Sequence, residues 1–172
     1  QFTDSLAHRG PDGRGIYLNE NRSLGLGHRR LAILDLSSSG EQPMAYGGGR
    51  YRIVYNGEIY NFIELRKDLQ GLGHHFISDT DTEVVLAAYL QWGTECQKRF
   101  NGMWAFAIWD DVENLLFLSR DRFGVKPLYF YEREQYFIFA SELKAFMSLP
   151  DDIRPRFGLQ MIARMKNEGF VG

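Results

Sequence analysis

Apolar residues keep two different spacings along this chain, and the change falls at residue 57. Before it they alternate over short stretches broken by glycine, asparagine and serine, the two-residue period of half-buried strands. Strands are expected over 15–18, 23–28 and 30–35, the first two separated by the turn residues 19–21. A long loop should fill 37–49, most flexible at Gly47-Gly48-Gly49, with a strand following over 51–56. Beyond Gly57 the period becomes helical. Phe62, Leu65, Leu69 and Leu72 share one helix face, ended by Gly71 and Gly73. A second helix opens at Thr80-Asp81-Thr82-Glu83, where Thr80 and Glu83 have capping-box spacing. Its apolar face is Val85, Leu86 and Tyr89, and Gly93 stops it.

After a short helical turn at Cys96 the strand period returns, over 103–109, 115–119, 128–132 and 136–140. Links this short pair strands antiparallel, because a parallel crossover needs about a dozen residues or more. The run Trp104 to Trp109 is apolar on both faces, so its sheet must be covered on both sides. The expected class is therefore α+β, with two stacked antiparallel sheets and helices outside. Pro150 starts a turn, after which Leu159, Ile162 and Ala163 recur at helical spacing.

Composition narrows the function classes. A chain of 172 residues suits one domain, and one of that size needs no disulfide or metal staple. Hydrophobic residues make up 44% and charged residues 24%, the balance of a globular protein. A net charge of −2 argues against nucleic acid as a partner. No apolar stretch is long enough to span a bilayer, and no secretory leader opens the chain, so no membrane association is expected. A single cysteine, Cys96, cannot close an internal bridge and agrees with a cytoplasmic location.

Three positions carry candidate chemistry. Asn56-Gly57 is a hairpin signal on composition alone, yet the segment after it is helical. An asparagine amide beside a glycine N–H can instead hold a developing oxyanion, as amide hydrolysis requires. Arg30 is a surface arginine at a strand start or a bidentate fork for a carboxylate. Asp81 either favours its helix dipole or faces a ligand ammonium. Arginine and aspartate at fixed separation would grip a free amino acid by its two charged ends. Other motifs fall away. The run Asp79, Asp81, Glu83 lacks the glycine and glutamate of a calcium loop, having Val84 and Leu90 there. His74-His75 has no acidic or cysteine partner at metal-ligand spacing, and the three glycines at 47–49 lack the lysine of a phosphate loop. Arg120-Asp121-Arg122 reads as a salt-bridged turn, and Cys96 as structural.

Seven ordered motifs between His8 and Phe146 resemble the glutamine amidotransferase domain of glutamine-hydrolysing asparagine synthetases. They are His8-Arg9-Gly10-Pro11-Asp12, Gly27-His28-Arg29-Arg30-Leu31-Ala32-Ile33, Tyr55-Asn56-Gly57-Glu58-Ile59-Tyr60-Asn61 and Asp79-Thr80-Asp81-Thr82-Glu83. Gly102 to Ala107, Arg120 to Leu128 and Ala140 to Ala145 complete the set. The resemblance implies an N-terminal-nucleophile hydrolase, a four-layer αββα sandwich. It implies an N-terminal cysteine whose thiol attacks the glutamine carboxamide with its own α-amino group as base. Asn56 and Gly57 would then form the oxyanion hole and Arg30 hold the substrate carboxylate. Leu31, Ile33 and Glu58 would shape the pocket, and Asp81 bind the α-amino group. Ammonia would pass to an ATP-dependent synthetase domain for amidation of aspartate.

By that resemblance, residues 1–149 are an N-terminally truncated amidotransferase domain lacking its first strand and cysteine. Residues 150–172 would be a linker and first helix toward the synthetase domain. This domain would need no metal or cofactor, with ATP and Mg belonging to the synthetase domain. The expected partners are L-glutamine and that domain, and a homodimer is compatible. The 172-residue chain itself is expected to hydrolyse no glutamine. Two alternatives stay open: the same amidotransferase chemistry with a sugar, peptide or other carboxylate as acceptor, and a non-catalytic glutamine-binding module.

Overall fold

The computed structural model describes residues 1–31 and 40–155. Among these residues ten helices and strands follow in chain order. They are β1 (Gly13–Leu18), β2 (Gly25–Arg30), β3 (Met44–Tyr46), β4 (Tyr51–Ile59), α1 (Phe62–Gly71) and α2 (Asp81–Trp92), then β5 (Gly102–Asp110), β6 (Leu115–Arg120), β7 (Tyr129–Arg133) and β8 (Tyr136–Ala140). Short 3-10 segments lie at Thr3–Leu6, Gly93–Arg99 and Leu143–Ser148. Every strand pair is antiparallel, as the short links require.

A central sheet in the order β3-β4-β5-β6 carries the core. Its strand β5 is buried from Trp104 to Asp110, and the two faces feed two different clusters. On one face Trp104, Phe106 and Ile108 join Tyr51, Ile53, Tyr55 and Ile59 of β4 beneath the two helices. There α1 contributes Leu65 and Leu69, while α2 is buried continuously from Thr82 to Ala88. On the other face Val54, Ala107 and Trp109 meet Leu26 of β2 and Phe139 of β8. The second sheet layer thus consists of two hairpins, β1–β2 and β7–β8, laid over the central sheet. Outside β7–β8, Ala145 and Phe146 of the last 3-10 segment and Leu149 just after it pack with Leu6 of the first and Phe2 just before it. Helices, sheet, hairpins and short 3-10 turns stack in the expected layer order.

The first and last motifs meet across this outer layer. Glu142 Oε1 lies 3.1 Å from His8 Nε2 and 3.2 Å from Arg9 Nη1, and Lys144 Nζ stands 3.2 Å from Glu142 Oε2.

Four local expectations need correction. The strand expected over 51–56 is longer: β4 runs on to Ile59, with no turn at Asn56-Gly57, because β5 offers partners Trp104, Met103 and Gly102 for three more residues. The expected loop over 37–49 contains β3, which pairs with Tyr51–Ile53. The capping box is half formed. Thr80 Oγ1 accepts from the Glu83 N–H, but the Glu83 carboxylate turns back to the Ile77 and Ser78 amides and not to Thr80. Asp121 is bonded to backbone amides and Arg120 to the carbonyls of Gly124 and Lys126, so the turn there is not salt-bridged as expected. The strand expected over 30–35 is seen only as far as Arg30, the end of β2, with Leu31 already outside it; residues 32–35, and the helical spacing at 159–163, lie outside the described residues.

Candidate functional site

The site grows from the shortness of β3. Because β3 has three residues, one edge of β4 is left without a strand neighbour beyond Ile53. In an antiparallel ladder successive residues turn their N–H and C=O to opposite sides. Tyr60 N–H bonds to Asn101 O, so the even residues of β4 face β5 and the odd ones face the open edge. Side chains from elsewhere close that edge. Gln42 Oε1 accepts the Tyr55 N–H at 2.6 Å, and His28 Nε2 lies 3.2 Å from the Tyr55 carbonyl. Asp81 Oδ2 accepts the Ile59 N–H at 3.0 Å. The Gly57 N–H points into the interval between these two caps. Position 57 must be glycine: a Cβ there would fall 2.3 Å from Met103 O and 2.8 Å from Trp104 Cα.

Asn56 points to the opposite face of the sheet, toward the hairpins, like Val54. It lines a groove of about 420 Å³ that runs between the hairpins over β4 and β5, with Leu26 and His28 on one wall and Phe137 and Phe139 on the other. Gln1, Phe2 and Thr3 also line it. Among the described residues neither hairpin has a further strand partner, so both expose free backbone edges.

Arg30 ends β2 two residues beyond His28. A Cβ built on Gly40 would lie 2.5 Å from Arg30 Nη2 and 3.4 Å from the Thr80 methyl. Glycine at 40 therefore lets the guanidinium lie beside the N-terminal end of α2, one residue from Asp81. Asp81 thus stands at the open edge of β4 beside Gly57, Arg30 lies near the end of α2 that carries Asp81, and Asn56 lies one residue before Gly57 on the groove face. Leu31 is exposed just past β2, and Glu58 is half-buried on the Asn56 face of β4. Ile33 lies outside the described residues.

Three residues that the sequence analysis left without a role belong to this framework: Gln42, His28 and Tyr55. Neither Gln42 nor His28 had a periodicity signal, because each acts from outside the strand it caps. The Tyr55 carbonyl can only accept, so His28 Nε2 carries the proton and Nδ1 is the bare nitrogen. That Nδ1 is buried without a hydrogen-bond partner among the described residues. Burial pushes the His28 pKa down to about 4; the Tyr55 carbonyl opposes this and the Arg30 charge reinforces it. An unfolded histidine titrates near roughly 6.5, so between these values the unfolded chain binds the extra proton. Stability from His28 is therefore complete above about pH 6.5 and falls as the pH drops toward 4, by roughly 2–3 kcal/mol. Urea unfolding across this window should show that slope in the wild type and a flatter profile in His28→Asn.

Cys96 is fully buried, and burial pushes its thiol up to about 12, the state of a structural cysteine and not of a nucleophile. His74 is engaged with Tyr46 and Gln91. No helix among the described residues is long and apolar enough to cross a membrane.

A family profile described as a glutamine amidotransferase domain matches residues 1–170. An asparagine synthetase (glutamine-hydrolyzing) of Bacillus subtilis is 46% identical over 153 residues, covering 88% of this chain and 24% of the relative. A putative asparagine synthetase (glutamine-hydrolyzing) of Methanocaldococcus jannaschii is 47% identical over 167 residues, covering 88% and 32%. The chain thus spans about a quarter to a third of the length of these relatives. Among solved structures, the glutamine phosphoribosylpyrophosphate amidotransferase of B. subtilis superposes with a TM-score of 0.69 at 20% identity, over 85% of this chain and 39% of that one. That likeness concerns the fold. With the profile covering nearly every residue, the chain belongs to the glutamine amidotransferase domain family.

Proposed function

We propose that this chain is the glutamine-binding and ammonia-releasing part of an asparagine synthetase-type enzyme. The observation that carries the reading is the open edge of β4. A backbone N–H at Gly57 sits between two filled caps, with an asparagine amide one residue before it and an arginine and an aspartate at hand.

Glutamine has three groups to be met. Its α-carboxylate suits the Arg30 fork, its α-ammonium the Asp81 carboxylate, and its carboxamide oxygen the Asn56 amide and Gly57 N–H. A cysteine thiol attacks the carboxamide carbon, and the oxyanion that forms draws charge toward those two donors. Ammonia leaves with a proton from the nucleophile's own α-amino group, and water then releases glutamate from the thioester. In this reading the nucleophile comes from a strand lying in the groove beside Asn56, where both hairpin edges are free to pair with it. The ammonia is used by an ATP-dependent domain of the same parent chain to amidate aspartate.

The test is the role of Arg30 in a cysteine-bearing parent. Arg30→Ala should raise KM for glutamine about tenfold or more while kcat stays within about threefold, since a carboxylate fork binds ground and transition states alike. A loss confined to kcat would place the carboxylate site elsewhere and remove this reading of the edge.

A further inference from the structure

Asp81 occupies the first turn of α2, yet among the described residues its carboxylate makes no hydrogen bond within that helix. Oδ2 reaches across to β4, accepting the Tyr55 hydroxyl at 2.7 Å and the Ile59 N–H at 3.0 Å. Oδ1 takes no hydrogen bond among the described residues. Tyr55 itself is buried under the helices, within the cluster that includes Ile59, Val84 and Val85. Its ring runs beneath Gly57, where a Cβ would stand 2.7 Å from Tyr55 Cε2. The missing side chain at position 57 therefore does a second job: it leaves the passage through which the phenol reaches Asp81.

Two donors on one oxygen fix a carboxylate in rotation as well as in place. A charge-assisted bond of this length is among the stronger ones. With Oδ2 held, only Oδ1 remains to meet a cation arriving from the open edge. We propose that Tyr55 is a positioning residue: by pinning Oδ2 of Asp81 it presents Oδ1 to the α-ammonium of the substrate and makes the site select a free α-amino acid. Burial, with the nearby Asp81 charge, raises the pKa of the phenol, so it remains a donor across the neutral range. The inference rests on the proposed glutamine site and adds to it a residue that need not touch the ligand.

The experiment compares two ligands on the 172-residue chain by calorimetry: L-glutamine, and glutaramate, which is glutamine without its α-amino group. In the wild type glutamine should bind more tightly. Tyr55→Phe, which removes one oxygen and keeps the ring, should lower the glutamine-to-glutaramate affinity ratio about tenfold, with glutaramate affinity changed by less than about twofold. Asp81→Asn should lower the ratio at least as far, and adding Tyr55→Phe to it should lower it no further, because the two act as one unit. Equal weakening of both ligands by Tyr55→Phe would mean a purely structural tyrosine and overturn the proposal, as would an unchanged ratio. A folded wild-type chain that binds neither ligand would refute the proposed glutamine site at the open edge of β4, and this inference would fall with it.

Discussion

Asn56→Ala in a cysteine-bearing parent is expected to lower glutamine turnover by about 10²–10³-fold while KM changes little. The expectation follows from position. Asn56 lies in β4 on the groove side of the sheet, and its backbone is already satisfied by pairing with Ala105. Its side chain is thus free of structural duty, since no hydrogen bond to another described residue holds it. Removing the amide takes away a donor aimed at charge that exists only once the thiol has attacked. The glutamine contacts expected of Arg30 and Asp81 remain, so ground-state binding persists. The effect corresponds to about 3–4 kcal/mol of transition-state stabilisation. Steady-state ammonia release measures it, and an unchanged kcat would remove Asn56 from the oxyanion role. Thermal unfolding of the variant separates this from damage to the fold, because an amide without partners should leave stability within about 0.5 kcal/mol of wild type.

Asp121→Ala is expected to do the reverse, costing about 3–5 kcal/mol of stability. Asp121 is buried, and its two oxygens accept four backbone N–H groups. Oδ1 takes those of Phe123 at 3.1 Å and Val125 at 2.9 Å, and Oδ2 those of Lys126 at 2.9 Å and Trp104 at 3.3 Å. One carboxylate therefore ties the loop after β6 to β5. Burial alone would raise the Asp121 pKa, but the four amides outweigh it and hold the group below the usual carboxylate range. A depressed native pKa means stability present above the unfolded value of roughly 3.9 and lost as the pH falls through the native one. Urea unfolding at neutral pH tests the alanine variant, with Asp121→Asn as a graded comparison, since one carboxamide oxygen can serve only part of the set. A loss below about 1 kcal/mol would mean that the loop holds its shape without the carboxylate.

The same residue shows how reading and structure diverge. Between two arginines Asp121 looks like half of an ion pair, because sequence displays side chains and hides the backbone amides that curl around it. Asn56-Gly57 diverges for a related reason. The pair favours a turn locally, and nine residues of pairing with β5 override that preference. Arg30 and Asp81 were legible as opposite charges suited to an amino acid, but the room for the Arg30 guanidinium near the start of α2 depends on Gly40, which sits in a loop with no period to read. Gln42, His28 and Tyr55 were invisible as a group, since each fills a hydrogen bond that another segment left open.

Periodicity, turn chemistry and link length determined most of the elements, the antiparallel pairing and the need to cover β5 on both faces, because burial acts on every residue in the same direction. They also determined the candidate charges and amides, whose chemistry travels with residue type. Only the tertiary structure decided where β3 stops, and so which stretch of β4 keeps an open edge. That depends on cooperation among segments dozens of residues apart: a three-residue strand, a glutamine, a histidine and the first residue of a helix closing one edge and leaving a single N–H between them.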